Sequence, residues 1–136
     1  MRLRDKVAAV TGGGQGIGRA IALALGREGA AVVVADLDLE AAGRVVGEIE
    51  AAAGRALALR ANVTRQADAA AIVQGAEEAF GRLDILVNNA GIYPSVDIVD
   101  MDEAQWDLVM AVNLKGTFLC SQAAARRMMD QGQGTI

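Results

Sequence analysis

Short, nearly unbroken apolar runs alternate along this chain with longer segments whose apolar positions recur every three or four residues. Residues 6–10 and 31–36 (A-V-V-V-A-D) are runs of the first kind. An apolar run without polar alternation marks a strand buried on both faces of a parallel sheet. Residues 56–62, alternating apolar and small side chains, and residues 83–88 (L-D-I-L-V-N) predict a third and a fourth strand. Segments 16–28, 39–53 and 65–80 carry the helical period. In the first, Ile17, Ile21 and Leu25 are expected to face inward; in the second, Val45, Val46 and Ile49. Gly29, Gly54 and Gly81 stand where these helices should close, and Thr64 is placed to cap the third. After a loop containing Pro94, one long helical pattern runs from about 103 to about 130. Gly132-Gln133-Gly134 then reads as a turn, and Thr135-Ile136 as the first step of a fifth strand.

The order β-α-β-α-β-α-β-α-(β) calls for right-handed crossovers and a parallel sheet covered by helices on both faces. No internal repeat, linker or low-complexity tract interrupts it, so residues 1–136 form one domain. Between the first strand and the first helix lies T-G-G-G-Q-G-I-G, residues 11–18. A strand that enters a glycine turn and leaves as a helix presents unpaired backbone N–H groups and the positive end of a helix dipole to an anion. Gly12, Gly14, Gln15, Gly16, Ile17 and Gly18 are therefore candidates for a pyrophosphate cradle, although a plain turn also collects glycines. A phosphate site after the first strand gives an α/β, Rossmann-type doubly wound sheet with strand order 3-2-1-4 plus the start of strand 5.

Asp36 ends the second strand about twenty residues beyond the glycines, where a carboxylate accepts hydrogen bonds from the ribose hydroxyls of an adenosine. Asp38 is the better candidate to cap the helix that follows. A carboxylate at 36 repels a 2′-phosphate, and neither Gln15 nor Leu37 offers a compensating cation. The expected cofactor is thus NAD rather than NADP. Asn88-Asn89-Ala90-Gly91 closes the fourth strand with two amides and two small residues, which suits either a ligand-facing edge or an ordinary polar turn.

Composition narrows the chemistry. The chain has no histidine and a single cysteine, Cys120, which excludes His-based triads, internal disulfides and cysteine zinc sites. Its net charge of −4 offers no footprint for nucleic acid or an anionic membrane. No apolar run approaches the roughly 18 residues of a membrane span. A cytoplasmic protein binding a small-molecule dinucleotide is the expectation.

These motifs together resemble the short-chain dehydrogenase/reductase family, and the likeness runs the length of the chain. T-G-G-G-Q-G-I-G matches the family's T-G-x-x-x-G-x-G cofactor motif, and N-N-A-G its second signature. The resemblance implies that Asn113, within V-N-L-K-G, is the helix-borne catalytic asparagine. It implies that Asn62 and Val63 bracket the adenine, with Asn62 accepting from its amino group in place of the family's frequent aspartate. Asn89, Ala90, Gly91 and Val112 would line the cofactor, and Asn88 would tie the central strands together.

The family transfers hydride between a nicotinamide and a carbonyl or alcohol carbon, using a serine, a tyrosine and a lysine four positions after the tyrosine. Here the only tyrosine is Tyr93, with Asp97 in the lysine's place, and the only lysines are Lys6 and Lys115, with Ala111 in the tyrosine's place. The chain is therefore expected to be the NAD-binding N-terminal part of such an enzyme, incomplete at its C-terminus and inactive alone. A non-enzymatic dinucleotide-binding module and a fragment without independent function are the alternatives. The fourth strand is expected to have a bare outer edge. The apolar surplus of helix 103–130, which includes Leu108, Leu114 and Phe118, is expected to pair copies of the full-length protein into a homo-oligomer. The nine residues 94–102 are too few to choose a substrate.

Overall fold

The computed structural model describes residues 1–136. Strands β1 (Val7–Thr11), β2 (Ala31–Asp36), β3 (Arg55–Arg60) and β4 (Ile85–Val87) form one sheet in the order β3-β2-β1-β4, all neighbours parallel. The register pairs Val10 with both Val34 and Val87. Helices α1 (Gly16–Arg27), α2 (Leu39–Ala51) and α3 (Gln66–Phe80) supply the crossovers. The last helical region runs from α4 (Glu103–Met110) through a π-helical stretch (Ala111–Lys115) into α5 (Gly116–Gln131).

The sheet sends alternate side chains to opposite faces, and each face has its own core. Val7, Ala9, Ala31 and Val33 pack with Ile72, Val73 and Ala76 of α3 and with Leu119, Ala124 and Met128 of α5. Ala8, Val10, Val32 and Val34 pack with Ala22 of α1 and with Val45 and Ile49 of α2. Full burial of each larger side chain contributes about 1.5–3 kcal/mol. The alanines in β1 and β2 let helices approach closely without aromatic filling, which explains how a chain with 3% aromatic residues builds a dense interior. Cys120 lies in this core, and burial pushes its thiol up to about 11. It stays protonated and chemically quiet.

Several local expectations change. Ile17 is 75% exposed rather than inward, because the first turn of α1 projects past the sheet's carboxyl edge; Ala22 is the buried hydrophobic residue of that helix. Thr64 does not cap α3: its N–H and Oγ1 both donate to Asn62 Oδ1, and the N-cap residue is Arg65, without a side-chain bond. Helix α2 is closed by Ala53 in the left-handed conformation (φ 60°) rather than by Gly54. Gly54 instead avoids a collision, since a Cβ there would lie 2.6 Å from Ile49 Cγ2. Asp38 caps α2 as expected, accepting from Ala41 N–H at 3.0 Å. The outer edge of β4 is not bare along its length. Thr135 pairs in parallel with Ile85, accepting from Leu86 N–H at 3.0 Å and donating to Asp84 O at 2.9 Å.

Asp84 fastens the amino-terminal end of the sheet. Its carboxylate accepts from Val7 N–H at 2.9 Å, from Arg82 at 2.6 and 2.8 Å, and lies 3.7 Å from Lys6 Nζ. Burial alone would raise its pKa, but the Arg82 and Val7 hydrogen bonds and the nearby cations outweigh burial and hold it below the usual value. A carboxyl depressed in the folded state stabilises above its unfolded pKa and loses that contribution as pH falls through the folded one. We therefore expect the chain to lose stability on acidification below about pH 4, and Asp84→Asn to flatten that loss in urea unfolding. Equal acid losses in the two proteins would remove Asp84 as the cause.

Candidate functional site

Everything of functional interest gathers at the carboxyl edge of the sheet. Beyond Thr11 the chain turns through Gly12, and Gly13 N–H donates to Ala35 O at 3.2 Å. Gly14 N–H donates to Asp36 Oδ2 at 2.9 Å, while Asp36 Oδ1 accepts from Asp38 N–H at 3.0 Å. The Asp36 carboxylate is thus held between the glycine turn and the start of α2. Helix α1 then begins at Gly16 with Gln15 as its N-cap residue; no side chain caps it and its first turn has no acidic residue. Its leading N–H groups and its dipole are left for an external acceptor. Gly16 has φ 54°, which a β-branched residue adopts only with strain, and a Cβ built there meets no protein atom within 4 Å.

The glycine turn is stitched to the segment after β4. Thr11 Oγ1 is buried, accepts from Asn89 N–H and Ala90 N–H at 3.1 Å each, and donates to Val87 O at 3.4 Å. Asn89 Nδ2 donates to Thr11 O at 3.1 Å and to Gly12 O at 3.0 Å. It is therefore Asn89, together with Thr11, that ties β1 to β4. Asn88, expected in that role, donates instead to Ser121 Oγ of α5 at 2.9 Å. Gly18 sits so close to the stitch that a Cβ would collide with Gly12 O and lie 2.5 Å from Asn89 Nδ2.

These segments enclose a cavity of about 510 Å³, within the size range of sites for small molecules and cofactors. Of the candidates, Gly12, Gln15, Ile17, Gly18, Asp36, Leu37, Asn62, Val63, Asn89, Ala90, Gly91 and Val112 line it. Gly14 does not; it is buried in the turn, where a Cβ would lie 2.9 Å from both Asp36 Oδ2 and Ala41 Cβ. Gly16 stands outside the lining, exposed at the start of α1. Sequence reasoning missed Ala61, Asp38 and Ile92, which also line the cavity. The alternating strand pattern that ends at 62 and the N-N-A-G turn were the available signals for Ala61 and Ile92.

Asn113 lies outside the lining as well. Its side chain and the Ile92 backbone exchange two hydrogen bonds, Ile92 N–H to Oδ1 and Nδ2 to Ile92 O, both 2.8 Å. The π-helical stretch is centred on this residue, and Thr117 Oγ1 donates to its carbonyl at 3.1 Å. The widened turn is a recognisable device at functional positions, and here it clamps the wall of the cavity that continues from Gly91. Asn62, expected to accept from a base, has its oxygen already engaged by Thr64, at 3.0 Å from the N–H and 2.7 Å from the hydroxyl.

The family model for short chain dehydrogenases matches residues 6–136. The chain belongs to the short-chain dehydrogenase family. Among its relatives in that family, 2-(S)-hydroxypropyl-CoM dehydrogenase 3 of Xanthobacter autotrophicus is 47% identical over 135 residues, 99% of this chain and 53% of that protein. Peroxisomal multifunctional enzyme type 2 of Drosophila melanogaster is 44% identical over 145 residues, with 24% of its length covered. The crystal structure of a candidate short-chain alcohol dehydrogenase from Sinorhizobium meliloti 1021 superposes with a TM-score of 0.92 at 42% identity, covering 97% of this chain and 52% of that one. The chain thus spans about half the length of the Xanthobacter and Sinorhizobium proteins it matches. Dehydrogenases of this family use nicotinamide cofactors, and the open helix terminus beside a carboxylate at the end of β2 is chemically matched to such a dinucleotide.

Proposed function

We propose that this chain is the NAD-binding part of an oxidoreductase that transfers hydride between the nicotinamide and an alcohol or carbonyl carbon, and that alone it binds the cofactor without turning it over. The observation that carries the reading is the uncapped start of α1 opening beside a cavity whose wall holds the Asp36 carboxylate. When bound, the cofactor supplies the hydride acceptor or donor. The chain's own residues supply the rest of the binding. Backbone N–H groups at the start of α1 hold the pyrophosphate, with room at Gly16 for close approach. Asp36 accepts from the adenosine ribose. Ala90, Gly91 and Val112 face the cofactor with small or apolar surface that excludes water.

The lack of turnover follows from chemistry the chain does not contain. A phenol of pKa about 10 works as an acid or base near neutrality only with a cation beside it. Tyr93 is 94% exposed in the loop after N-N-A-G, and no lysine follows it four positions later.

Asp36 and the uncharged neighbours Gln15 and Leu37 support NAD over NADP. Fluorescence titration is expected to give NADH a dissociation constant at least about tenfold below that of NADPH, a difference of about 1.4 kcal/mol. Equal affinities, or tighter binding of NADPH, would overturn the preference.

A further inference from the structure

The π-helical stretch Ala111–Lys115 serves two surfaces at once. On one side Val112 lines the cavity at the sheet's carboxyl edge, and Asn113 clamps Ile92 in the wall of that cavity. On the other, Ala111, Leu114 and Lys115 join Asp107, Met110 and Phe118 around an open groove of about 440 Å³. Leu114 is 61% and Phe118 56% exposed there. No residue of α4 or of the π-helical stretch is buried. With eight residues, α4 is well short of the roughly 12–15 below which an isolated helix is marginal in water. Its capping box and its continuation into the π-helical stretch are what hold it.

The charges beside the groove say what fits it. Asp107 and Lys115 lie four residues either side of Ala111, and neither has an ion-pair partner in the chain. A second copy related by a two-fold axis at Ala111 runs antiparallel and sets each Asp107 against the other copy's Lys115. Parallel pairing in register would set like charges together, so the charges fix the orientation and the apolar residues between them supply the attraction. The small side chain of Ala111 lets the two helices approach at the axis. We infer, on the reading that the cavity holds a nicotinamide dinucleotide, that antiparallel self-association across this groove and dinucleotide binding are linked through the π-helical stretch. Pairing holds α4 and the stretch in one arrangement, so Val112 and the Asn113–Ile92 clamp are in place before the ligand arrives. A ligand that contacts this wall then tightens the pairing by the same factor as pairing tightens the ligand.

The test is sedimentation equilibrium of the 136-residue chain with and without NADH, joined to NADH titrations at chain concentrations below and above its association constant. The NADH dissociation constant is expected to be at least about fivefold lower in the associated chain than in the dilute one, the low end of the range for coupled sites. NADH is expected to tighten association by the same factor. Lys115→Glu, which brings acidic groups together beside the groove, is expected to weaken association and to bind NADH at every concentration as the dilute chain does. Asp107→Lys/Lys115→Glu swaps the charges and is expected to restore both. A chain that stays monomeric, or one that associates with no change in NADH affinity, overturns the inference, and neither comparison depends on a variant folding. Unaltered association of Lys115→Glu overturns it as well. If association changes nothing but NADH still binds, the inference fails and the cofactor site stands; if NADH binds at no concentration, the cofactor site fails and the inference with it.

Discussion

Gly18→Ala is expected to abolish NADH binding and to destabilise the fold by about 3 kcal/mol, the upper part of the range for overpacking a filled site. The added methyl has nowhere to go. It would collide with the carbonyl oxygen of Gly12 and approach Asn89 Nδ2 to 2.5 Å, and both atoms are already bonded to each other. Relief requires parting the glycine turn from the segment after β4, which breaks the stitch that Asn89 and Thr11 make. Gly16→Val provides the contrast. A Cβ at 16 meets no protein atom, so the fold suffers only the strain of a left-handed β-branched residue, about 1–2 kcal/mol. Its larger effect falls on the ligand, whose pyrophosphate it holds away from the backbone. Urea unfolding and NADH titration of both variants separate the two mechanisms. Normal NADH titration of folded Gly16→Val would refute the cradle.

Asp36→Ala is expected to weaken NADH binding by about 1–3 kcal/mol, roughly fivefold to 150-fold, the cost of losing hydrogen bonds to a charged acceptor. It should also narrow the difference between NADH and NADPH, because the group that repels a 2′-phosphate is gone. Part of the loss arises before any ligand arrives. Gly14 N–H and Asp38 N–H both depend on this carboxylate, so the turn loses its fixed shape when the side chain is removed. Asp36→Asn retains an acceptor oxygen for one of these N–H groups and should fall between the two. Unchanged affinity in Asp36→Ala, measured by fluorescence titration, would remove Asp36 from the site.

What the sequence disclosed and what it concealed divide along physical lines. Strand β2 was legible to the residue, because burial on both faces permits no polar interruption in Ala31–Asp36. The strand order followed from placing a phosphate cradle after β1. Ile17 was misread because helical period says which face a residue occupies but not whether the helix still overlaps the sheet at that turn. The π-helical turn within the long helix coincides with a pair of hydrogen bonds between Asn113 and Ile92, 21 residues apart, which no local pattern encodes. The hydrogen-bonding sense of Asn62 is concealed for a related reason. Residue type gives Asn62 both a donor and an acceptor, and only the Thr64 turn decides which one remains.

The most direct test is fluorescence titration of the 136-residue chain with NADH, followed on the same folded, monodisperse sample by turnover assays with a panel of alcohols and ketones. The structure and the family together predict saturable binding at one site per chain and no turnover. A folded sample that does not bind NADH, or one that oxidises or reduces any member of the panel, would contradict the account.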